Sequence, residues 1–375
     1  MQTISISGRM RETGGRSSGF DDLRLALAVS VVVLHVAAVS HGMRAEMAVF
    51  LSPLRPLVRF ILPAFFALSG FLVAGSLARC HTAGLFLGLR ALRVMPALTF
   101  KVLLAAFVLG PLATRDTLGQ YFHNPGLYTY LLNIVGSVHF GLPGVFIDNP
   151  LPAVVNGQLW TIPFEVASYV VVAGLAVLGL GRRRSLAPVA AVGITLAYLV
   201  TTLARHGGVL VPVPGMPNGA LLIACSLWGV SLYQYRDTVP YSLPLCLLAT
   251  AAAASCLGFL PYGDFLAPLP AAYVTVYLGL RNPQRRWLGG ADYSYGIYLS
   301  SFMIQQACWQ FLPAARSWEG NLLIALPLSV GAAAISWHFI EKPALDLRHA
   351  LRRVETAWLE RQARRGGASL PAEAD

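Results

Sequence analysis

The chain is divided into apolar runs of about 20 residues, the length an α-helix needs to cross the roughly 30 Å hydrocarbon core of a bilayer. Such windows fall near 22–41, 57–77, 94–112, 160–180, 186–204, 218–235, 239–260, 264–280, 291–312 and 320–340 of the 375 residues. No polar stretch between them is long enough to form a separate soluble domain. Charged residues make up 12% of the chain and apolar ones 56%, whereas soluble domains carry about 25% charged residues, so a soluble scaffold could not cover this surface. The expected fold class is all-α, a polytopic membrane helical bundle of about ten transmembrane helices. Residues 1–19 would form an N-terminal tail, 20–345 the membrane domain and 346–375 a C-terminal tail.

An eleventh apolar stretch, 126–146, is interrupted by Asn133, His139, Gly141 and Pro143. Charge distribution decides how to read it, because Lys and Arg accumulate in short cytoplasmic loops. With Arg9, Arg11 and Arg16 inside, ten spans place Arg79, Arg90 and Arg93, then Arg182–Arg184, then Arg281, Arg285 and Arg286, and finally the basic tail 348–365 on the same side. A full span at 126–146 would move the Arg182–Arg184 cluster to the opposite face. The stretch is therefore expected to re-enter or to lie at the outer surface, with both termini cytoplasmic. The first span lacks a small-residue cleavage site and reads as a retained anchor. The net charge of +11 is spread over these loops, which argues against a nucleic-acid partner. The five cysteines form no CxxC pair and mostly lie in apolar runs, so neither a metal site nor a disulfide is expected.

Ionisable residues inside spans are costly and mark function. Arg24 and His35 share the first span, eleven residues apart; at ~100° per residue they lie on one face, separated by about 16 Å along the axis. Arg24 would sit at the cytoplasmic edge and His35 deep, toward the outside. Imidazole is the one ordinary side chain that takes and returns a proton near neutral pH, although a core histidine bonded to a neighbouring helix fits the same position. Arg90, Arg93 and Lys101 form a cationic stripe running inward from the same edge, suited to a phosphorylated ligand; ordinary snorkelling is the alternative. Glu165, in Trp160-Thr-Ile-Pro-Phe-Glu165, needs a partner in the bilayer, either His35 or an arginine, and a merely structural clamp on the bundle fits it equally. Asp292 and Glu341, at the ends of the last two spans, read as structural. No GxSxG, HExxH, P-loop or GxGxxG motif competes.

In order along the chain, Phe20-Asp-Asp-Leu-Arg24 followed by His35, Pro63-Ala-Phe-Phe-Ala-Leu-Ser-Gly-Phe71, Arg90-Ala-Leu-Arg93-Val-Met-Pro96, Trp160–Glu165, Ser294-Tyr-Gly-Ile-Tyr-Leu299 and Ile340-Glu-Lys-Pro343 resemble the motifs of the acyltransferase-3 membrane family over about residues 20–345. Where many relatives carry a histidine in the ninth span this chain has Ser300-Ser301, and the closing Glu-Arg-Pro is Glu-Lys-Pro. The resemblance implies an integral-membrane O-acyltransferase moving an acyl group, usually acetyl from acetyl-CoA, onto a hydroxyl of a surface or exported glycan or lipid-linked saccharide at the bacterial inner membrane. It makes His35 the catalytic histidine and Arg24 its signature partner, and Arg90 and Arg93 the motif that holds the coenzyme A phosphates. From their placement in the spans alone, Glu165 is a further catalytic candidate and Lys101 a further donor-binding one. His35 would either deprotonate the acceptor or carry the acyl group covalently; both routes remain open. A transporter or flippase of glycan precursors and a non-catalytic export scaffold are the alternatives, and the oligomeric state is open.

Overall fold

The computed structural model describes residues 4–14, 17–209, 215–281 and 291–366; Arg16, Arg285 and Arg286 lie outside the described residues. Among those described the chain forms helices and no strand. Helix α1 (Ile6–Glu12) precedes α2 (Gly19–His41), α3 (Met43–Leu51), α4 (Arg55–Leu77) and α5 (Ala83–Leu104), the last continuing through a π-turn at Ala105–Leu109 to Ala113. Two short helices, α6 (Leu118–His123) and α7 (Pro125–Leu131), lead into an irregular segment. Then follow α8 (Ile162–Val177), α9 (Leu186–Arg205), α10 (Gly219–Gln234), α11 (Leu243–Gly258), α12 (Pro268–Gly279), α13 (Ser294–Phe311), α14 (Trp318–Ser336) and α15 (Arg348–Gly366). A π-turn at Trp337–Glu341 extends α14.

Each of the ten apolar windows is occupied by a helix, but not all helices are as long as their windows. Helix α12 has 12 residues, about 18 Å at 1.5 Å per residue, short of a bilayer core. It is tolerated because Ala271, Ala272 and Val276 are fully buried among other helices rather than facing lipid. Helix α4 is the central element. It meets α10 at backbone distance: a Cβ on Gly70 would lie 1.9 Å from the Ser226 carbonyl oxygen, and one on Gly229 2.1 Å from that of Ala67. Small residues are what allow such an approach between membrane helices.

The alternation of the helices gathers the connections at two ends. At one end, the Ile6 amide donates to the Val239 carbonyl and Arg9 Nε to that of Leu280. Thr82, which caps α5, donates from its amide and hydroxyl to Glu355 of α15 at 2.8 and 2.6 Å. The C-terminal helix, which begins within the expected tail, is thus docked on α5. Arg184 belongs to this end, sharing a cavity with Thr82 and Arg236. At the opposite end, buried Arg59 reaches Asp264 at 2.6 Å, and Gly42 turns the chain from α2 into α3 at φ +86°, its Cα facing the Pro150 carbonyl.

The segment 126–146 does not span. Its longest helix is α7, of seven residues, and beyond it the chain lies across the second end of the bundle. Buried amides fasten the lid: Gln306 Nε2 donates to the Leu151 and Val154 carbonyls at 2.8 and 2.7 Å, and Asn149 Nδ2 to Gln306 Oε1 at 2.8 Å. Gln158 Nε2 donates to the Leu299 carbonyl at 2.9 Å. Phe146, at the end of this segment, and Ala153 beyond it hold positive φ, local strain of the kind that surrounding structure must sustain.

Candidate active site

Three chambers follow one another through the bundle. The first, about 920 Å³, opens at the end that carries α15. Its walls hold Arg24, Arg79, Arg90, Arg93, Lys342 and Arg348 against Asp21, Asp292 and Asp346. The second, about 120 Å³, is lined by Arg24, Arg90, Arg93, Glu165, Tyr169 and Tyr298 among others. Arg24, Leu72, Arg90 and Arg93 line both. The third, about 330 Å³, lies under the lid and contains His35, Glu46, Trp160, Phe140 and Phe302. Leu62 and Tyr298 form the wall between the second and third.

Four of the sequence-predicted residues, Arg24, Arg90, Arg93 and Glu165, converge around the second chamber, and two carboxylates expected to be structural, Asp292 and Glu341, stand beside Arg93. Arg24 Nη1 and Arg93 Nη2 both donate to Asp292 Oδ2 at 2.5 Å. Asp292 Oδ1 accepts from the hydroxyl and amide of Ser294 at the start of α13, so its two oxygens serve the helix start and the two arginines separately. Arg93 also lies 3.7 Å from Glu341 Oε2 and over the Tyr295 ring. Glu341 sits in the π-turn ending α14, a distortion common at functional sites.

Arg90 is different. Its Nη2 reaches Ser76 Oγ at 3.2 Å while its buried Nε finds no hydrogen-bond partner among the described residues. Glu165 faces the arginines and accepts from the Tyr169 hydroxyl at 2.5 Å; it does not pair with His35. Lys101 lines none of the three chambers, for eleven residues of helix carry it about 16 Å beyond Arg90, and its buried ammonium donates to the Ala332 carbonyl at 3.3 Å.

His35 stands in the third chamber with its ring edge-on to Phe302, centroids 5.1 Å apart. Its Nδ1 is 3.1 Å from Oε1 of Glu46, a residue of α3. Sequence reasoning passed over Glu46, although a lone carboxylate in Met43-Arg-Ala-Glu-Met-Ala-Val-Phe-Leu51, just past the glycine that ends α2, was a usable signal. Among the described residues no three His, Cys, Asp or Glu side chains are grouped to hold a metal ion.

This arrangement sets a cationic chamber at one end and a histidine near the other, with a small chamber between them that Leu62 and Tyr298 separate from the histidine side. Residues 18–341 match the family model described as an acyltransferase domain, of the acyltransferase-3 group. The chain belongs to that family. An O-acetyl transferase of Shigella phage Sf6 is 24% identical over 335 residues, 87% of this chain and 96% of the relative. Nodulation protein 10 of Rhizobium leguminosarum bv. viciae is 28% identical over 369 residues, 90% of this chain and 96% of the relative. No solved structure gives a significant match. For this acyltransferase, the six ordered motifs fall on α2, α4, α5, α8, α13 and the end of α14, all of which line the arginine chambers; α8 contributes Glu165 and Tyr169.

Proposed function

We propose that the protein is an acyl-CoA-dependent O-acyltransferase of the bacterial inner membrane, with acetyl as its acyl group and a hydroxyl of a surface or exported glycan as acceptor. The observation that carries this reading is the alignment of the three chambers, cationic at one end and holding a histidine near the other. A chamber of about 920 Å³ is in the range of ligand sites, and its excess of guanidinium groups suits the phosphates of coenzyme A. The pantetheine arm would thread the second chamber toward Tyr298. The acceptor would enter under the lid, where Trp160, Phe140 and Phe302 offer aromatic surface for the apolar face of a sugar ring. His35 would then take the acceptor proton. Arg24, about 16 Å from His35 along α2 and held by Asp292, orders the donor site rather than touching the reacting carbonyl.

The test is transfer of label from [14C]acetyl-CoA to a glycan extract in membranes containing the protein. Labelled glycan supports the reading; its absence, with folded protein present, favours transport or scaffolding. In the same assay Arg90→Ala should weaken acyl-CoA binding about 10- to 150-fold, since a charge-assisted hydrogen bond contributes about 1.5–3 kcal/mol, and should leave acceptor affinity unchanged. Arg90 is chosen over Arg93 because its guanidinium is not held by a carboxylate. Unaltered donor affinity would make Arg90 a helix anchor.

The reading also fixes an orientation. The arginine end faces the cytoplasm and the lid faces outward. Single-cysteine labelling should find the exposed positions 182–184 and 352–354 reactive only from the cytoplasm, and 140, 147, 148 and 259–262 only from outside. The reverse pattern would overturn donor entry from the cytoplasm.

A further inference from the structure

One charged group in the histidine chamber is not used by the chemistry above. Glu46 lies on α3, which the turn at Gly42 folds back beside the end of α2. Its surroundings are apolar: Leu34, Met47, Phe50, Trp160 and Phe302 line the same space. A carboxylate placed there needs compensation, and among the described residues its one hydrogen-bond partner is His35 Nδ1, at 3.1 Å. The His35 and Glu46 side chains are only 15% and 12% exposed. The other ring nitrogen, Nε2, makes no hydrogen bond to a described residue, and the histidine borders the open volume of the chamber. Besides these two residues, the Tyr298 hydroxyl is the only titratable group among the described lining residues, and it is engaged with Thr161 at 2.7 Å.

We infer that Glu46 is the positioning residue of His35, fixing the proton on Nδ1 so that Nε2 presents its lone pair to the acceptor hydroxyl. A carboxylate can only accept, so the nitrogen facing it must carry hydrogen, and the second nitrogen is then the base. The inference rests on the acyl-transfer reading. In that reaction the acceptor oxygen attacks the thioester carbonyl carbon as its proton passes to Nε2. The tetrahedral intermediate then breaks its C–S bond, and coenzyme A leaves as a thiol after taking the proton back. Atoms balance without a further reactant: acyl thioester and alcohol become ester and thiol. Between the two proton transfers the imidazole is a cation, and the Glu46 carboxylate stabilises it.

A purely structural His–Glu contact and a positioning contact separate in kinetics. Glu46→Gln preserves size and can still accept the Nδ1 proton, but it lacks the charge that stabilises the imidazolium. The expected result, with full-length detergent-purified protein, [14C]acetyl-CoA and extracted surface glycan, is a roughly 10- to 100-fold lower kcat, part of the 10²–10⁴ that general base catalysis supplies. KM for donor and acceptor should stay within about twofold, and the melting temperature should be unchanged. Glu46→Asp, which keeps the charge on a shorter stem, should recover part of the lost kcat and guards against misfolding of the amide variant. Parental kcat in folded Glu46→Gln protein, or a loss in both variants that follows only the folded fraction, overturns the positioning role. A parent protein that transfers no label overturns the acyl-transfer reading instead, which keeps the two failures apart.

Discussion

His35→Gln protein is expected to insert, fold and bind acyl-CoA as the parent does while transferring no acyl group. The amide can still bond to Glu46, so the nearby carboxylate is not left unpaired in an apolar chamber, a defect that would otherwise cost about 1–3 kcal/mol. Having no basic nitrogen, it can neither take the acceptor proton nor carry an acyl group. Loss of a positioned general base removes about 10²–10⁴ in rate, and loss of a covalent carrier would remove the path altogether, so label in the glycan should fall to the level of membranes without the protein. His35→Ala should be equally inactive but less stable, because it strands Glu46. The measurement is label transfer per mole of monodisperse protein, with acyl-CoA affinity determined in parallel. Glycan labelled at the parental rate by His35→Gln protein would refute the base and covalent roles together.

The parts of this site that the sequence disclosed, and those it did not, divide along a physical line. Spans were legible because bilayer thickness imposes a length on each apolar run, so all ten windows contain helices. Arg24, Arg90 and Arg93 stood out because charge in such runs is expensive, and their convergence is what α2 and α5 bring about. Partners were less legible. Asp292 and Glu341 sit at helix ends, where capping already explains a carboxylate, and only the fold reveals that Arg24 and Arg93 converge on Asp292. Helical periodicity put Lys101 on the face of Arg90 but could not tell which neighbour would meet its ammonium, and α14 does. For Glu165 the expected partners were His35 or an arginine; the fold bonds it to Tyr169, one turn along its own helix, and sets it in the same chamber as the arginines. The lid over His35 was the hardest part, since the contacts of Asn149 and Gln306 link residues about 157 apart in an irregular segment with no periodicity to read.

Asp292 carries the second large effect. It neutralises two guanidiniums at once, in a site where Arg24, Arg93 and Asp292 side chains are 22%, 19% and 15% exposed. Removing one member of a buried pair costs about 3–5 kcal/mol because the remaining charge is left uncompensated, a large share of the 5–15 kcal/mol by which proteins are stable. Asp292→Ala protein should therefore melt well below the parent in detergent, and Asp292→Asn should fall between, keeping the Ser294 cap without the charge. The same substitution frees Arg24 and Arg93 to face the first chamber, where the donor phosphates are proposed to bind. Coenzyme A should then stabilise the variant more than the parent: a ligand at 100 times its Kd contributes about 2.7 kcal/mol, and two released guanidiniums lower that Kd. Melting curves with and without coenzyme A decide the matter. A larger coenzyme A-dependent rise in the variant means that Asp292 occupies, in the free protein, the place of a donor phosphate. Equal rises in variant and parent mean that Arg24 and Arg93 hold the bundle together and that phosphate recognition rests on Arg90 and the outer cations Arg79, Lys342 and Arg348.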